Sequence, residues 1–265
     1  MDKNTFHTVP VAAGQMRVYD FGGAGLHAYQ TGDPINDQTL VVEKNGQAVV
    51  IEPPCFRDNI AALEGYLRQV GLTVAGVVCA YHMAGASFLP QAKRYATRQA
   101  DHYGHQGGGK ALIDGFAQGF GEVFDSGVYT VTDYLEPGKT VIGGVELEII
   151  PTGEAFDIAI PELGVIYTHM LGHDCHSIVP GAQGADAMIA QLEDYLSRGF
   201  ELVLTSHYVP EDRDDVETKL AYLRELKALA AGCRDGESFK AAVKEKFPGY
   251  GGENYLDMTA GFFFG

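Results

Sequence analysis

Residues 74–80, VAGVVCA, form a short apolar run that stops abruptly at Tyr81-His82, and this constrains the fold more than any other feature of the chain. An unbroken apolar run of that length reads as a strand buried on both faces, which requires a sheet covered on each side. The end of such a strand is where α/β proteins place polar, reactive loops. Upstream, residues 39–44 and 48–51 flank Asn45-Gly46, and Asn-Gly between two β-branched runs predicts a tight antiparallel hairpin. Glu52-Pro53-Pro54 ends the second strand, and Ile60, Leu63, Leu67 and Val70 then recur at helical spacing until Gly71.

Further along, residues 90–125 read as helix broken at Gly107-Gly108-Gly109, a loop that carries Lys110 without the spacing of a phosphate-binding loop. Short strands return at 128–131, 140–142 and 145–150, followed by a hairpin from 158–160 to 165–168. A helix around 188–196, a strand over 201–205 that ends at Ser206-His207, and an amphipathic helix over about 216–231 complete the pattern. The order of antiparallel strands, strand–helix units, more strands and then helices suits two sheets covered by helices on their outer faces. A single domain over residues 1–265 is expected, because sandwiches of this size commonly fold around one connected core.

At its strand ends the sequence resembles the metallo-β-lactamase superfamily, which includes β-lactamases, glyoxalase II-type thioesterases, lactonases and a tRNA-processing nuclease. QAVVIEPP stands where the family has a strand ending in I-D-x-G, and GVVCAYHMAGAS stands where a strand runs into T-H-x-H-x-D-H. VELEIIPTGEAFDIAI, ELGVIYTHM and LVLTSHYVP follow in family order, in place of a strand with G-H, a strand ending in T-G-D and a strand ending in G-H-x-x-P. The resemblance runs from about residue 36 to 212. It implies a four-layer αββα sandwich: two mixed β-sheets face to face, helices outside, and a cleft along one edge.

The family's ligand positions are mostly replaced. Zinc prefers imidazole nitrogen and carboxylate oxygen in a near-tetrahedral shell with one position open. On the H-x-H-x-D-H motif His82 matches the first His, but Ala84, Ala86 and Ser87 stand at the other ligand positions. Glu154 replaces the next His, Met170 replaces the bridging Asp with His169 just before it, and His207 matches the last His. Family analogy implies two ions, but the second metal site keeps only His207, so the residues present allow none or one, zinc first and then manganese or iron. Its expected ligands come from His82, Glu154, His169 and His207, with His82, Glu154 and His207 as the candidates for catalysis. Two functions fit this set. One is a metal-free or weakly metal-binding protein that keeps the pocket for a small molecule; the other is a mononuclear metal-dependent hydrolase of a small ester, thioester or lactone. His173, Asp174 and His176, in HMLGHDCHS, are alternative ligands. Glu52, at the family's structural Asp, reads as a hydrogen-bonding residue under the cleft.

Composition narrows the partners. A formal net charge of -16 works against a polyanion, since affinity for phosphate backbones comes mainly from Lys and Arg. The first residues lack the basic and apolar regions of a signal peptide, and no run approaches the ~18 apolar residues of a membrane span. The expectation is a cytoplasmic protein that binds a small molecule and neither nucleic acid nor membrane. Cys55, Cys79, Cys175 and Cys233 have no C-x-x-C spacing and are expected to be reduced thiols. Phe262-Phe263-Phe264 is too apolar to be left in water, which predicts a tail packed on the body or in a homodimer interface.

Overall fold

The computed structural model describes residues 2–265. These residues gather into two compact units. The first comprises the chain up to Met170 together with Val203–Pro210, and the second comprises Leu171–Leu202 and Glu211–Gly265.

The first unit opens with three strands that the sequence patterning does not single out, β1 (His7–Val11), β2 (Gly14–Asp20) and β3 (Gly25–Gln30). The predicted hairpin follows as β4 (Gln38–Lys44) and β5 (Gln47–Ile51), paired antiparallel. Asn45 and Gly46 between them have φ of 52° and 77°, the two positive values that match a two-residue turn to the strand twist. Helix α1 (Arg57–Gln69) carries the chain back to β6 (Thr73–Val78), which pairs parallel with β5. Strand β7 (Arg94–Ala96), helices α2 (Arg98–Gln106) and α3 (Gly108–Phe120), and the edge strand β8 (Asp133–Tyr134) complete a mixed sheet ordered β1 to β8.

Side chains alternate across these strands, and both faces are buried. Val41, Val50, Val77 and Cys79 share a core with Ile60, Leu63 and Leu67 of α1 and Ile113 of α3. Leu40, Val42, Val49, Ile51 and Val78 point to the opposite face and are equally buried. There the second sheet begins, with β9 (Gly138–Ile142), β10 (Val145–Pro151), β11 (Phe156–Ile160), β12 (Val165–Tyr167) and β13 (Leu202–Leu204) adjacent in that order. A Cβ on Gly143, in the turn between β9 and β10, would stand 3.7 Å from Val49 Cγ2, so this turn seats directly on the first sheet.

Residues 128–131 depart from the expected strand. Tyr129 turns inward instead, with the Arg94 guanidinium 4.7 Å from its ring centre, and Val128 makes one isolated bridge to Ala84. Burying the ring favours a loop closed over the chain after β6 rather than a ladder.

In the second unit, helices α4 (Gly181–Ser197), α5 (Arg213–Gly232), α6 (Gly236–Lys246) and α7 (Glu253–Phe264) follow one another. Asp212 and Asp235 start α5 and α6 with reciprocal capping boxes. The apolar tail is helical. Phe263 and Phe264 of α7 lie 5.6 and 5.5 Å from Phe239 of α6, while Phe262 is exposed. Lys219 is buried, donates to the carbonyls of Gly172 and Cys175, and is pushed down to about 8 by burial. All four cysteines are free thiols. Among the described residues no helix is long and apolar enough to cross a membrane.

Candidate metal centre

His82 follows β6, His169 follows β12 and His207 follows β13, so three strand ends of the first unit present three imidazoles to one point. One ligand atom from each lies within 4.8 Å of the other two. Their ring centres form a near-equilateral triangle: 5.1 Å from His82 to His207, 5.2 Å from His169 to His207 and 5.4 Å from His82 to His169.

Each imidazole is held from behind. Glu52 follows β5 with φ of 52°, a left-handed conformation unusual for a residue with a Cβ. That turn aims its carboxylate at the loop after β6, where Oε1 accepts from Tyr81 N (2.7 Å) and Oε2 from His82 N (2.8 Å). Oε1 also accepts from the Tyr167 hydroxyl at 2.7 Å, and that hydroxyl is 2.7 Å from Ser206 Oγ. One buried carboxylate thereby ties the His82 loop to the strand ends that carry His169 and His207. Burial raises Glu52 to about 7, against the pull of these donors. Tyr81 stacks flat on His169, 4.4 Å between ring centres, and its hydroxyl is 2.8 Å from Thr152 Oγ1. Gly85 fixes the rest of the loop: at φ of 90°, a Cβ there would sit 2.3 Å from the Pro54 carbonyl oxygen.

Burial depresses all three imidazoles. His82 is held well below its usual value, with His207 and His169 adding to the effect; His169 is lowered to about 3, and His207 is lowered as well. All three are therefore neutral at pH 7, the form that offers a lone pair to a metal.

Asp37, a residue that sequence reasoning missed, lies beside this triangle. Its Oδ2 accepts from Cys55 Sγ at 3.2 Å, and its backbone N–H donates to Asp33 Oδ1 at 3.2 Å. Its buried Oδ1 has no hydrogen-bond partner among the described residues and stands 3.6 Å from both His82 Nδ1 and His207 Nδ1. Burial, and then the charge of Asp33, push Asp37 well above the usual carboxylate range. The only trace of it in the sequence is the turn-forming DPIND before β4.

Glu154 does not join the imidazoles. It is exposed at the tip of the turn between β10 and β11, where Thr152 Oγ1 is already engaged by Ala155 N and Tyr81. The carboxylate beside the histidines comes from a different loop. Ala84 lines the pocket with a methyl group, and Ser87 is bonded to Asp125, which also accepts from Ser87 N at 2.8 Å. His173 and His176 serve the second unit: His173 Nδ1 is 2.8 Å from Glu211 Oε1, and His176 Nδ1 is 3.1 Å from the Tyr222 hydroxyl.

The triangle floors a cavity of about 110 Å³, whose walls come from the loops after β5 and β6 and from α3. Three neutral imidazoles and an open cavity form a donor set that zinc uses in catalytic sites.

No family model matches the sequence, and no curated protein matches it. Solved structures do match. One is the stereoselective inverting sec-alkylsulfatase Pisa1 from Pseudomonas sp., at 17% identity and TM-score 0.64, covering 90% of this chain and 48% of that one. A metallo-β-lactamase from Erythrobacter litoralis matches at 12% identity and TM-score 0.54, covering 83% and 96% of the two chains. The DIM-1 metallo-β-lactamase matches at 16% identity and TM-score 0.52, covering 83% and 99%. The chain has the metallo-β-lactamase fold. It spans about half the length of the alkylsulfatase it matches.

Proposed function

We propose that the protein holds one divalent cation, zinc in the first instance, on His82, His169 and His207, and hydrolyses a small ester, thioester or lactone. The observation that carries this reading is the convergence of three imidazole ligand atoms within 4.8 Å at the floor of a cavity. The solved neighbours are named as a sulfatase and β-lactamases, and from them comes only the general class of reaction, hydrolysis. A bound cation supplies Lewis acidity, which polarises a carbonyl and makes a water more acidic.

The chain's own groups supply the rest. Asp37 Oδ1 stands 3.6 Å from Nδ1 of both His82 and His207, beyond hydrogen-bond length, and is a buried carboxyl oxygen free to draw on a cation bound beside those rings. Tyr81 fixes the plane of His169 by stacking, and Glu52 fixes the backbone of His82. Ala84, Ala86 and Ser87 offer nothing that would hold a second ion.

The competing reading, a metal-free small-molecule pocket, draws on the apolar walls of the cavity, to which Met83, Ala84 and Phe116 contribute. Hydrolysis of 4-nitrophenyl acetate, a thioester and a γ-lactone by zinc-loaded protein separates the two. The expected result is turnover of at least one of them that disappears with a chelator, returns with zinc and falls to background in His207→Ala. Turnover that survives chelation, or none on any of the three with zinc bound, would contradict the hydrolase.

A further inference from the structure

We infer that the cavity takes an uncharged substrate whose acyl or alkyl part is an apolar chain lying along α3. This rests on the hydrolase reading for the reaction, but the binding geometry stands by itself. Leu112, Ile113 and Phe116 fall on one side of α3 at helical spacing and all line the cavity. Met83 and Phe124 extend the same wall, and Ile35 faces it from the loop before β4. The polar end is confined to the three imidazoles, Asp37 and two tyrosines, Tyr81 and Tyr103.

The charge pattern decides between substrate types. Neither Lys nor Arg is among the described residues that line the cavity, and the buried carboxyl of Asp37 stands at its polar end. In the metal-free protein a sulfate or carboxylate head would find no fixed cation and would meet the Asp37 carboxyl, whereas a ketone or ester carbonyl needs none. Leu112 is 54% exposed at the end of the apolar wall, so the surface that greets a chain continues to the solvent. Burial of each methylene against such a wall strengthens binding roughly fourfold.

The test is calorimetric binding of methyl alkyl ketones, from butanone to decanone, to the metal-free and the zinc-loaded protein, with octyl sulfate as the charged comparison. These ketones present an uncharged carbonyl and cannot be hydrolysed, so binding is read without turnover. The expected result is an affinity that climbs about fourfold per methylene in both forms, levelling once the chain reaches Leu112, with octyl sulfate weaker than the ketone of equal length in the metal-free form. Leu112→Glu, at an exposed position, is expected to weaken the long ketones about tenfold and leave butanone and zinc content unchanged; Phe116→Ala is expected to flatten the same slope. Affinity independent of chain length, or octyl sulfate binding more tightly than the ketone to the metal-free protein, overturns the inference. A rising ketone series with no ester, thioester or lactone turned over upholds the inference while removing the hydrolase.

Discussion

Replacing Glu52 with alanine is expected to cost about 3–5 kcal/mol of folding stability and to remove most of the affinity for zinc. The side chain accepts from Tyr81 N, His82 N and the Tyr167 hydroxyl, and both it and Tyr167 are almost wholly buried. Each buried donor left without a partner costs roughly 1–3 kcal/mol. The loss is offset in part because burial already holds the Glu52 carboxylate at an unfavourable charge, as its rise to about 7 shows. His82 then loses the hydrogen bond that sets its backbone, and the triangle loses one corner. Glycine at the same position provides an internal comparison. It removes the same acceptors but relieves the left-handed φ of 52°, so Glu52→Gly is expected to be more stable than Glu52→Ala by about 1 kcal/mol. Urea denaturation of the three proteins, with zinc titration of each, measures both effects. Wild-type stability in the alanine variant would show that the carboxylate is not what ties the strand ends together.

The second large effect is on Asp37. Asp37→Asn keeps the shape of the side chain and its capacity to accept from Cys55, but removes the carboxyl beside the two Nδ1 atoms, which a bound cation would draw into its charged form. Outer carboxylates that orient metal-bound imidazoles are typically worth 10–100-fold in metal affinity, and a loss of about that size is expected here. Metal-free stability should change by less than about 1 kcal/mol, because the carboxyl is already pushed toward its neutral form by burial. Competition against a chromophoric chelator reads the affinity, and thermal unfolding reads the stability. Zinc affinity within twofold of wild type would remove Asp37 from the account.

Much of what positions the site was legible because its signals are local. Asn45-Gly46 dictates its turn, the apolar period of Ile60, Leu63 and Leu67 dictates α1, and the apolar run of β6 ends just before His82. The first three strands were not legible. In β2 the buried residues are Met16 and Tyr19, three apart rather than two, so the alternation that marks a half-buried strand is missing. Residues 128–131 have strand composition but spend it on burying Tyr129 beside Arg94. At the site, the histidines could be found because each ends a strand of the resemblance. Glu154 and Asp37 could not be ranked from the sequence, since which of two loop carboxylates turns inward depends on contacts distant in the chain. Thr152 and Tyr81 occupy the turn at Glu154, whereas Asp33 and Cys55 hold Asp37 inward.

The central claim is that this cleft holds one metal ion, and elemental analysis followed by zinc titration tests it most directly. Protein purified without added metal, then titrated with zinc and dialysed, is expected to retain one equivalent, and His82→Ala and His207→Ala are each expected to retain none. Removing one imidazole leaves two, too few to keep an ion through dialysis. Failure of the wild-type protein to retain zinc would contradict the account. Two equivalents retained at full occupancy by a His173→Ala variant would contradict it equally, because Ala84, Ala86, Ser87 and Met170 leave no ligands for a second ion in the cleft, and His173, Glu211 and Asp215 are the other described group whose ligand atoms converge.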